Sequence, residues 1–542
     1  MERRVFGPPG TGKTTFLSKE INRAASQFGP DAVFVSSFTR AAAAELVGRD
    51  LPIDRDNIGT LHSHCYKLLG EPQIADTPEG IALWNAEHPK DVLTNRSTDP
   101  DVYVDQGEPN EDADGAFSEY RLNRLRMVPR SEWAPHVEAF ARKWEDWKRS
   151  TGTMDFSDLI ETVYRDWERF PRSISVGFID EAQDLCPLML ALARKWGNQW
   201  DYFYVAGDDD QAIYTFQGAT PDAFLDPPLP EEQKRTLSQS HRIPASVHAY
   251  AEWWIGRVAR REPKVYKPRS EPGELRNENA SRINYANPGL IVQDAQKYLD
   301  RGKRVMVLAR AGYMLQPLVK YCRSEGIPFH NPYAKDRYEW NPLTPSRGVS
   351  AAERLEAYLK PCWTPDDVKL WTHLIKKRGS GLKPHVNDIV EAARALRPDS
   401  PLYPDDISDD ENFIHMCVWG TQEEKIEWLE SRLNSQGRGG VELNLACARK
   451  GHKVGAAPLL IPGTFHSVKG GEAEVVYLMP DMPPATWREW SNGTNTDAEY
   501  RTWYVGLTRA RESLVLCAAA GDQRIKWKPD GPVCRPRAPV RP

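Results

Sequence analysis

At the start of the chain, short apolar runs alternate with stretches whose apolar positions recur every three or four residues. Val5-Phe6 reads as a strand end, residues from about 13 as a helix, 32–35 as a buried strand, 41–46 as a helix, 58–60 as a third strand and 63–69 as a helix. Strands alternating with helices predict an α/β fold whose parallel sheet is covered on both faces. The rhythm stops near Glu71. Residues 97–120 are acidic and carry no Lys or Arg, which predicts a solvated loop, with a partner-binding acidic segment as the alternative. Helical patterns resume over 131–148, which carries Trp133, Phe140, Trp144 and Trp147, and over 155–170.

The strand rhythm returns at 174–179 and 202–206. A second α/β block follows, with a strand at 304–308, a helix at 314–325 and a short strand near 327–329. A segment rich in Pro, Trp and charge interrupts it over 331–453, and it resumes with strands at 459–461, 474–478 and 513–517 and a helix at 498–507. Residues 526–542 are basic and Pro-rich without periodicity, which predicts a disordered tail.

Composition narrows this picture only a little. The length of 542 residues allows several domains, and no apolar run approaches a membrane span. Eight scattered cysteines without a CxxC pair argue against a disulfide framework or a cysteine-rich metal site, and fit a reducing cytoplasm. A strand so close to the first residue leaves no room for a signal peptide. The net charge of −5 neither supports nor excludes nucleic acid, because a basic groove can lie within an acidic protein.

The candidate chemistry begins at Gly7-Pro8-Pro9-Gly10-Thr11-Gly12-Lys13-Thr14, which fits the phosphate-binding loop at every specified position, after a strand and opening a helix. Its backbone N–H groups would wrap phosphates, Lys13 would reach the β- and γ-phosphates, and Thr14 would ligate Mg²⁺. Such a loop needs acidic partners. The strand at 174–179 ends in Asp180-Glu181, where Asp180 would hold the metal and Glu181 would orient or deprotonate water. The next strand runs into Gly207-Asp208-Asp209-Asp210-Gln211, in which Gln211 is a candidate γ-phosphate sensor. Taken alone, Asp208–Asp210 reads as a solvated turn. His62, His64 and Cys65 lack a fourth ligand nearby, so a metal site there is the minor reading.

Asp180-Glu181-Ala182-Gln183-Asp184, together with Gly207-Asp208-Asp209-Asp210-Gln211-Ala212-Ile213-Tyr214-Thr215-Phe216-Gln217-Gly218-Ala219, resembles the UvrD/Rep-type superfamily 1 helicases. Further segments resemble that family in its order: Ser37-Phe38-Thr39-Arg40, Thr60-Leu61-His62-Ser63, Met154-Asp155-Phe156-Ser157-Asp158-Leu159, Gln239-Ser240-His241-Arg242, Val307-Leu308-Ala309-Arg310, 463–472 and 504–511. The resemblance implies two RecA-like lobes, each interrupted by a mainly helical insertion. The first lobe spans 1–70 and 173–235 around an insertion at 71–172; the second spans 236–330 and 454–525 around 331–453, with 526–542 as the tail. It implies that Arg242, Glu472 and Arg509 face nucleotide from the second lobe, Arg509 as an arginine finger. Phe38, Thr39, Arg40, Thr60, His62, Tyr214, Phe216, Arg310, His466 and Lys469 would face single-stranded DNA.

The resemblance further implies a cytoplasmic, monomeric, Mg²⁺- and ATP-dependent DNA helicase or translocase that acts on single strands and junctions and moves 3′ to 5′. A nucleotide-gated DNA-binding or recruitment ATPase of a repair, replication or defence assembly, with little unwinding activity, is the alternative. Departures from the family pattern are His241 at the position of a base-stacking tyrosine, Gln217 for an arginine and Gly471 for a leucine. The family's adenine-reading glutamine segment lies ahead of the phosphate loop, where this chain has six residues. GTP and CTP are therefore candidate fuels beside ATP.

Overall fold

A computed structural model describes residues 1–38, 51–94, 113–334, 340–341, 351–376, 379–396, 401–452 and 457–527. They gather into two compact units: those within 1–275 and 482–513, and those within 276–481 and 514–527.

In the first unit, β1 (Glu2–Phe6), β2 (Val33–Ser37), β3 (Ile58–Gly59), β4 (Val176–Asp180), β5 (Tyr202–Gly207) and β6 (Lys234–Thr236) form one sheet in the order β3-β2-β4-β5-β1-β6. Every pairing in it is parallel. The period of two along each strand separates two cores. Val5, Val33, Val35, Val176 and Phe178 pack with Leu17 and Ile21 of the helix Lys13–Phe28, whereas Phe6, Phe34, Ile179, Phe203 and Val205 pack with Leu159, Leu192 and Trp196. Such two-sided burial is what makes these strands continuous apolar runs.

The segment read from sequence as an acidic loop is helical from Ala113 to Leu125. Ala116 and Tyr120, about one turn apart, are buried in one core and Leu125 in another, so apolar burial overrides the charge; residues 95–112 lie outside the described residues. Tyr120 packs with Trp84, Phe140, Trp144 and Trp147 in a separate aromatic core. Beside it, buried Arg124 pairs with Asp155, Asp158 and Glu161, and Lys148 with Asp155 and Asp158.

The second sheet comprises β7 (Glu274–Asn277), β8 (Val305–Ala309), β9 (Leu460–Thr464), β10 (Ala473–Leu478) and β11 (Ala510–Leu516), in the order β7-β11-β10-β8-β9. The β10–β8 and β8–β9 pairs are parallel. Residues 327–329 do not form the strand expected from sequence; Phe329 makes one isolated bridge to Leu460. The interrupting segment is helical and has its own core around Tyr358, Trp363, Trp371, Phe413 and Trp428. Ordered packing reaches Trp527, which is buried and donates its indole N–H to the Cys517 carbonyl at 2.8 Å; 528–542 lie outside the described residues.

Candidate nucleotide site and nucleic-acid interface

Parallel pairing brings the first-unit motifs to one edge. In register, Phe6 lies beside Gly207 and Thr236, Ser37 beside Asp180, and Ser36 beside Gly59. The phosphate loop, Phe38, Thr60, Asp180-Glu181, Asp208–Gln211 and Ser240–Arg242 therefore all follow the carboxyl ends of adjacent strands, where open α/β sheets bind ligands.

The loop is built by its backbone. Gly10 and Gly12 have φ of 73° and 76°, and Gly7 N donates to Gly207 O at 2.9 Å. Thr11 N and Oγ1 both donate to Pro8 O, at 3.1 and 2.7 Å. Ser240 Oγ donates to Pro9 O at 2.8 Å and His241 N to Gly10 O at 2.8 Å. A Cβ on Gly10 would lie 2.4 Å from the Arg242 Cβ, so this contact demands glycine and seats Arg242 against the loop. Arg242 and Arg509 fall in the first compact unit and Glu472 in the second.

Lys13 Nζ lies 2.7 Å from Glu181 Oε2 and 3.2 Å from Asp180 Oδ1. Burial disfavours the lysine charge, but the two carboxylates more than offset this and hold it above its ordinary pKa. Asp180 is pushed up by burial and by Glu181, against the pull of Lys13. Thr14 follows Lys13 in the same helical turn, so a hydroxyl and a buried carboxylate are available as hard oxygen donors.

Gln183, which motif reading passed over, joins the carboxylate strand to its neighbour. Its Nε2 donates to Glu181 Oε2 at 2.6 Å, and its Oε1 accepts from Asp208 N at 3.0 Å. Gln211 Nε2 in turn donates to Asp208 Oδ2 at 2.7 Å, and Arg509 Nη2 donates to Gln211 Oε1 at 3.0 Å. A continuous polar chain thus runs from Lys13 to Arg509.

Asp208, Asp209 and Asp210 are not a solvated turn; all three are buried. Lys264 contacts each of them, and Arg261 holds Asp210 through Nε at 2.9 Å and Nη2 at 2.6 Å. Beside them Glu252 Oε1 is buried with no hydrogen-bond partner, and burial lifts this carboxyl from 4.5 to about 7. Arg261 and Lys264 oppose that rise and Asp208 and Asp210 reinforce it. Below pH 4.5 both folded and unfolded chains hold the proton and the contribution is fully present; as pH rises through 7 it is lost, because the unfolded chain ionises first. With partial solvent screening this amounts to about 1–2 kcal/mol. Thermal melting of the wild type is expected to fall over this window more than that of Glu252→Gln, and equal slopes would remove Glu252 as the cause.

The aromatic candidates converge. Phe38 and Tyr214 have ring centroids 5.2 Å apart, and Tyr214 and Phe216 5.8 Å. Phe38, Thr60, His62, Tyr66, Arg121 and Phe156 are among the residues lining an adjoining cavity of about 590 Å³. Thr60 also caps the helix Leu61–Leu68, accepting from Ser63 N while its own N–H donates to Ser63 Oγ. His64 and Cys65 are buried, and the described residues include no His/Cys/Asp/Glu group suited to a metal. Thr39 and Arg40 lie outside the described residues.

In the second unit, Ala309 pairs with Thr464, so Arg310 and the 465–469 turn leave the same sheet edge. Asn331 Nδ2 donates to Pro462 O at 3.0 Å and Ser467 Oγ at 3.2 Å, bracing the turn that carries His466 and Lys469. Gly471 is explained by its neighbour: a Cβ there would lie 2.6 Å from the Tyr333 ring. The Tyr333 hydroxyl faces the backbone N–H and carbonyl of Glu472 at 3.4 and 3.5 Å.

Fold and site together define a P-loop nucleotide-binding protein with a parallel α/β sheet. Residues 2–227 match the UvrD/REP helicase N-terminal domain. The chain is 25% identical over 252 residues to YjcD of Bacillus subtilis, which carries the description of an ATP-dependent DNA helicase; the match covers 41% of this chain and 32% of the relative. It is 22% identical over 353 residues to the ATP-dependent DNA helicase PcrA of Staphylococcus epidermidis, covering 60% and 48%. The PcrA of Staphylococcus aureus is 22% identical over 342 residues, covering 56% and 45%. The chain thus spans about a third to a half of the length of these relatives. No helix among the described residues is long and apolar enough to cross a membrane.

Proposed function

We propose that the protein is an ATP-driven motor that tracks along single-stranded DNA, 3′ to 5′, and acts at junctions between single strands and duplex. The observation that carries this reading is the polar chain from Lys13 through Glu181, Gln183, Asp208 and Gln211 to Arg509, beside the Phe38–Tyr214–Phe216 cluster. It joins a phosphate cradle to a guanidinium, and Tyr214 and Phe216 follow Gln211 within five residues of sequence, so nucleotide state and base contact share one turn.

In this reading the backbone of 7–14 and Lys13 bind the phosphates, with Arg242 and Glu472 as further nucleotide-facing groups. Thr14 and Asp180 would hold Mg²⁺, which when bound neutralises charge on the β- and γ-phosphates. Glu181 positions the attacking water and takes its proton, Gln211 orients the γ-phosphate end, and Arg509 stabilises charge developing on the transferring group. Phe38, Tyr214 and Phe216 stack on bases, each contact contributing about 1–3 kcal/mol without regard to sequence. Thr39, Arg40, Thr60, His62, Arg310, His466 and Lys469 are assigned to the strand's backbone and edges.

The test is ATP hydrolysis with and without single-stranded DNA, beside Lys13→Ala. Stimulation by DNA and its loss in the variant are expected; hydrolysis indifferent to DNA would favour a recruitment ATPase instead. Unwinding of 3′- and 5′-tailed duplexes tests direction, and comparison of ATP, GTP and CTP tests base selectivity.

A further inference from the structure

Lys264 lies in the segment between the helix Ala245–Ile255 and β7, outside any helix or strand. Its side chain is 1% exposed, and its Nζ lies 3.2 Å from Asp208 Oδ1, 2.5 Å from Asp209 Oδ1 and 2.8 Å from Asp210 Oδ2. Lysines are almost never this buried unless paired, and here three consecutive carboxylates meet one ammonium. The pairing has a direction. Lys264 holds one oxygen of Asp208, and the other accepts from Gln211 Nε2 at 2.7 Å. A glutamine amide has a donor end and an acceptor end of nearly the same shape, and its partners decide which way it points. With Nε2 committed to Asp208, Oε1 is left to meet Arg509 Nη2 at 3.0 Å. The same turn is tied to the helix that precedes Arg509, because Arg501 donates to Asp209 O at 2.9 Å and to Arg260 O at 2.6 Å.

We propose that Lys264 is a positioning residue for hydrolysis: it locks Asp208, and through Asp208 it sets the Gln211 amide in the orientation that engages Arg509. The proposal rests on the reading of Gln211 and Arg509 as hydrolytic groups. It adds a residue that is buried against three carboxylates and lies outside the motifs named above.

Lys264→Met alone removes the cation shared by all three carboxylates, leaving Arg261 on Asp210, and is liable to unfold. Asp209→Asn removes one of those charges and retains a carbonyl oxygen for the Glu262 N–H, which Asp209 accepts at 2.9 Å. The experiment therefore compares wild type, Asp209→Asn, Lys264→Met/Asp209→Asn, Gln211→Ala and the triple variant. Melting temperature, affinity for a fluorescent ATP analogue, and kcat and KM for DNA-stimulated ATP hydrolysis are measured for each. The double variant is expected to keep KM within about twofold and to lose kcat on the order of 10²-fold, the scale of an ångström-sized misplacement. Adding Gln211→Ala is expected to cost nothing more.

Losses that multiply in the triple variant, or a double variant with wild-type kcat, would overturn the proposal. Asp208→Asn keeps Lys264 in place and supplies a second arm should the double variant not fold. Its amide can present N–H to Gln211 and turn that side chain round, so kcat is expected to fall with KM retained; an unchanged kcat sinks the idea. If Gln211→Ala itself hydrolyses ATP normally, the hydrolytic reading of Gln211 fails and the positioning role falls with it. A defect in Gln211→Ala but not in the Lys264 and Asp208 variants removes the positioning role alone.

Discussion

Arg509→Ala is expected to lower DNA-stimulated ATP hydrolysis by ~10³–10⁵-fold, the usual worth of an arginine finger. The structure explains why this guanidinium is not a bland helix-end charge. It is 1% exposed, its Nε donates to Val505 O at 2.8 Å, and its Nη2 donates to Thr508 Oγ1 at 3.1 Å and Gln211 Oε1 at 3.0 Å. Those contacts fix the plane of the group, and its approach to Gln211 puts it at the γ-phosphate end of the proposed site. Arg509→Lys is expected to be nearly as damaging, because a point charge on a flexible stem cannot keep the carbonyl and the amide contacts together. Nucleotide affinity should change far less than kcat, since the interaction strengthens as charge develops in the transition state. The check is kcat and analogue affinity on protein shown to melt like wild type; a loss below tenfold would remove Arg509 from the finger role.

What could be read from sequence divides along a physical line. The phosphate loop was legible because its chemistry is local: glycines, lysine and threonine at fixed spacing between a strand and a helix. Strands such as Val33–Ser37 and Val176–Asp180 were legible because a two-sided parallel sheet buries every position. The Asp208–Asp210 turn was not, because the cations that neutralise it, Arg261 and Lys264, stand 51 and 55 residues beyond their partners. Without them the string is indistinguishable from a solvated loop. The helix Ala113–Leu125 was hidden for the opposite reason: its charge is visible at once, while the sparse pair Ala116 and Tyr120 acquires meaning only beside Trp84 and Trp144. Gln183 sat inside a recognised string, yet its bridging role depends on β4 and β5 being neighbours, a property of topology.

Glu181 carries the other large expected effect, and its backbone sharpens the prediction. The residue has φ 52°, in the left-handed region that a non-glycine side chain enters at a cost of about 1–3 kcal/mol. Two contacts hold the carboxylate there: Lys13 Nζ at 2.7 Å and Gln183 Nε2 at 2.6 Å. Strain retained at the end of a buried strand, next to Lys13, argues that the side chain is kept for what it does. Glu181→Gln keeps the shape and can still accept from Lys13, but removes the base. It is expected to lower kcat by ~10²–10⁴-fold while ATP-analogue binding persists. Glu181→Gly relieves the backbone strain and deletes the same base, and Lys13 then faces Asp180 alone. It is expected to be as inactive as the glutamine variant, yet to melt no lower than it, because what the chain loses in the ion pair it regains in the turn. Measured together, the two substitutions separate function from stability at one position. A glycine variant that is far less stable than the glutamine variant would show that Glu181 is held for the fold, and hydrolysis unimpaired in Glu181→Gln would show that water is activated elsewhere.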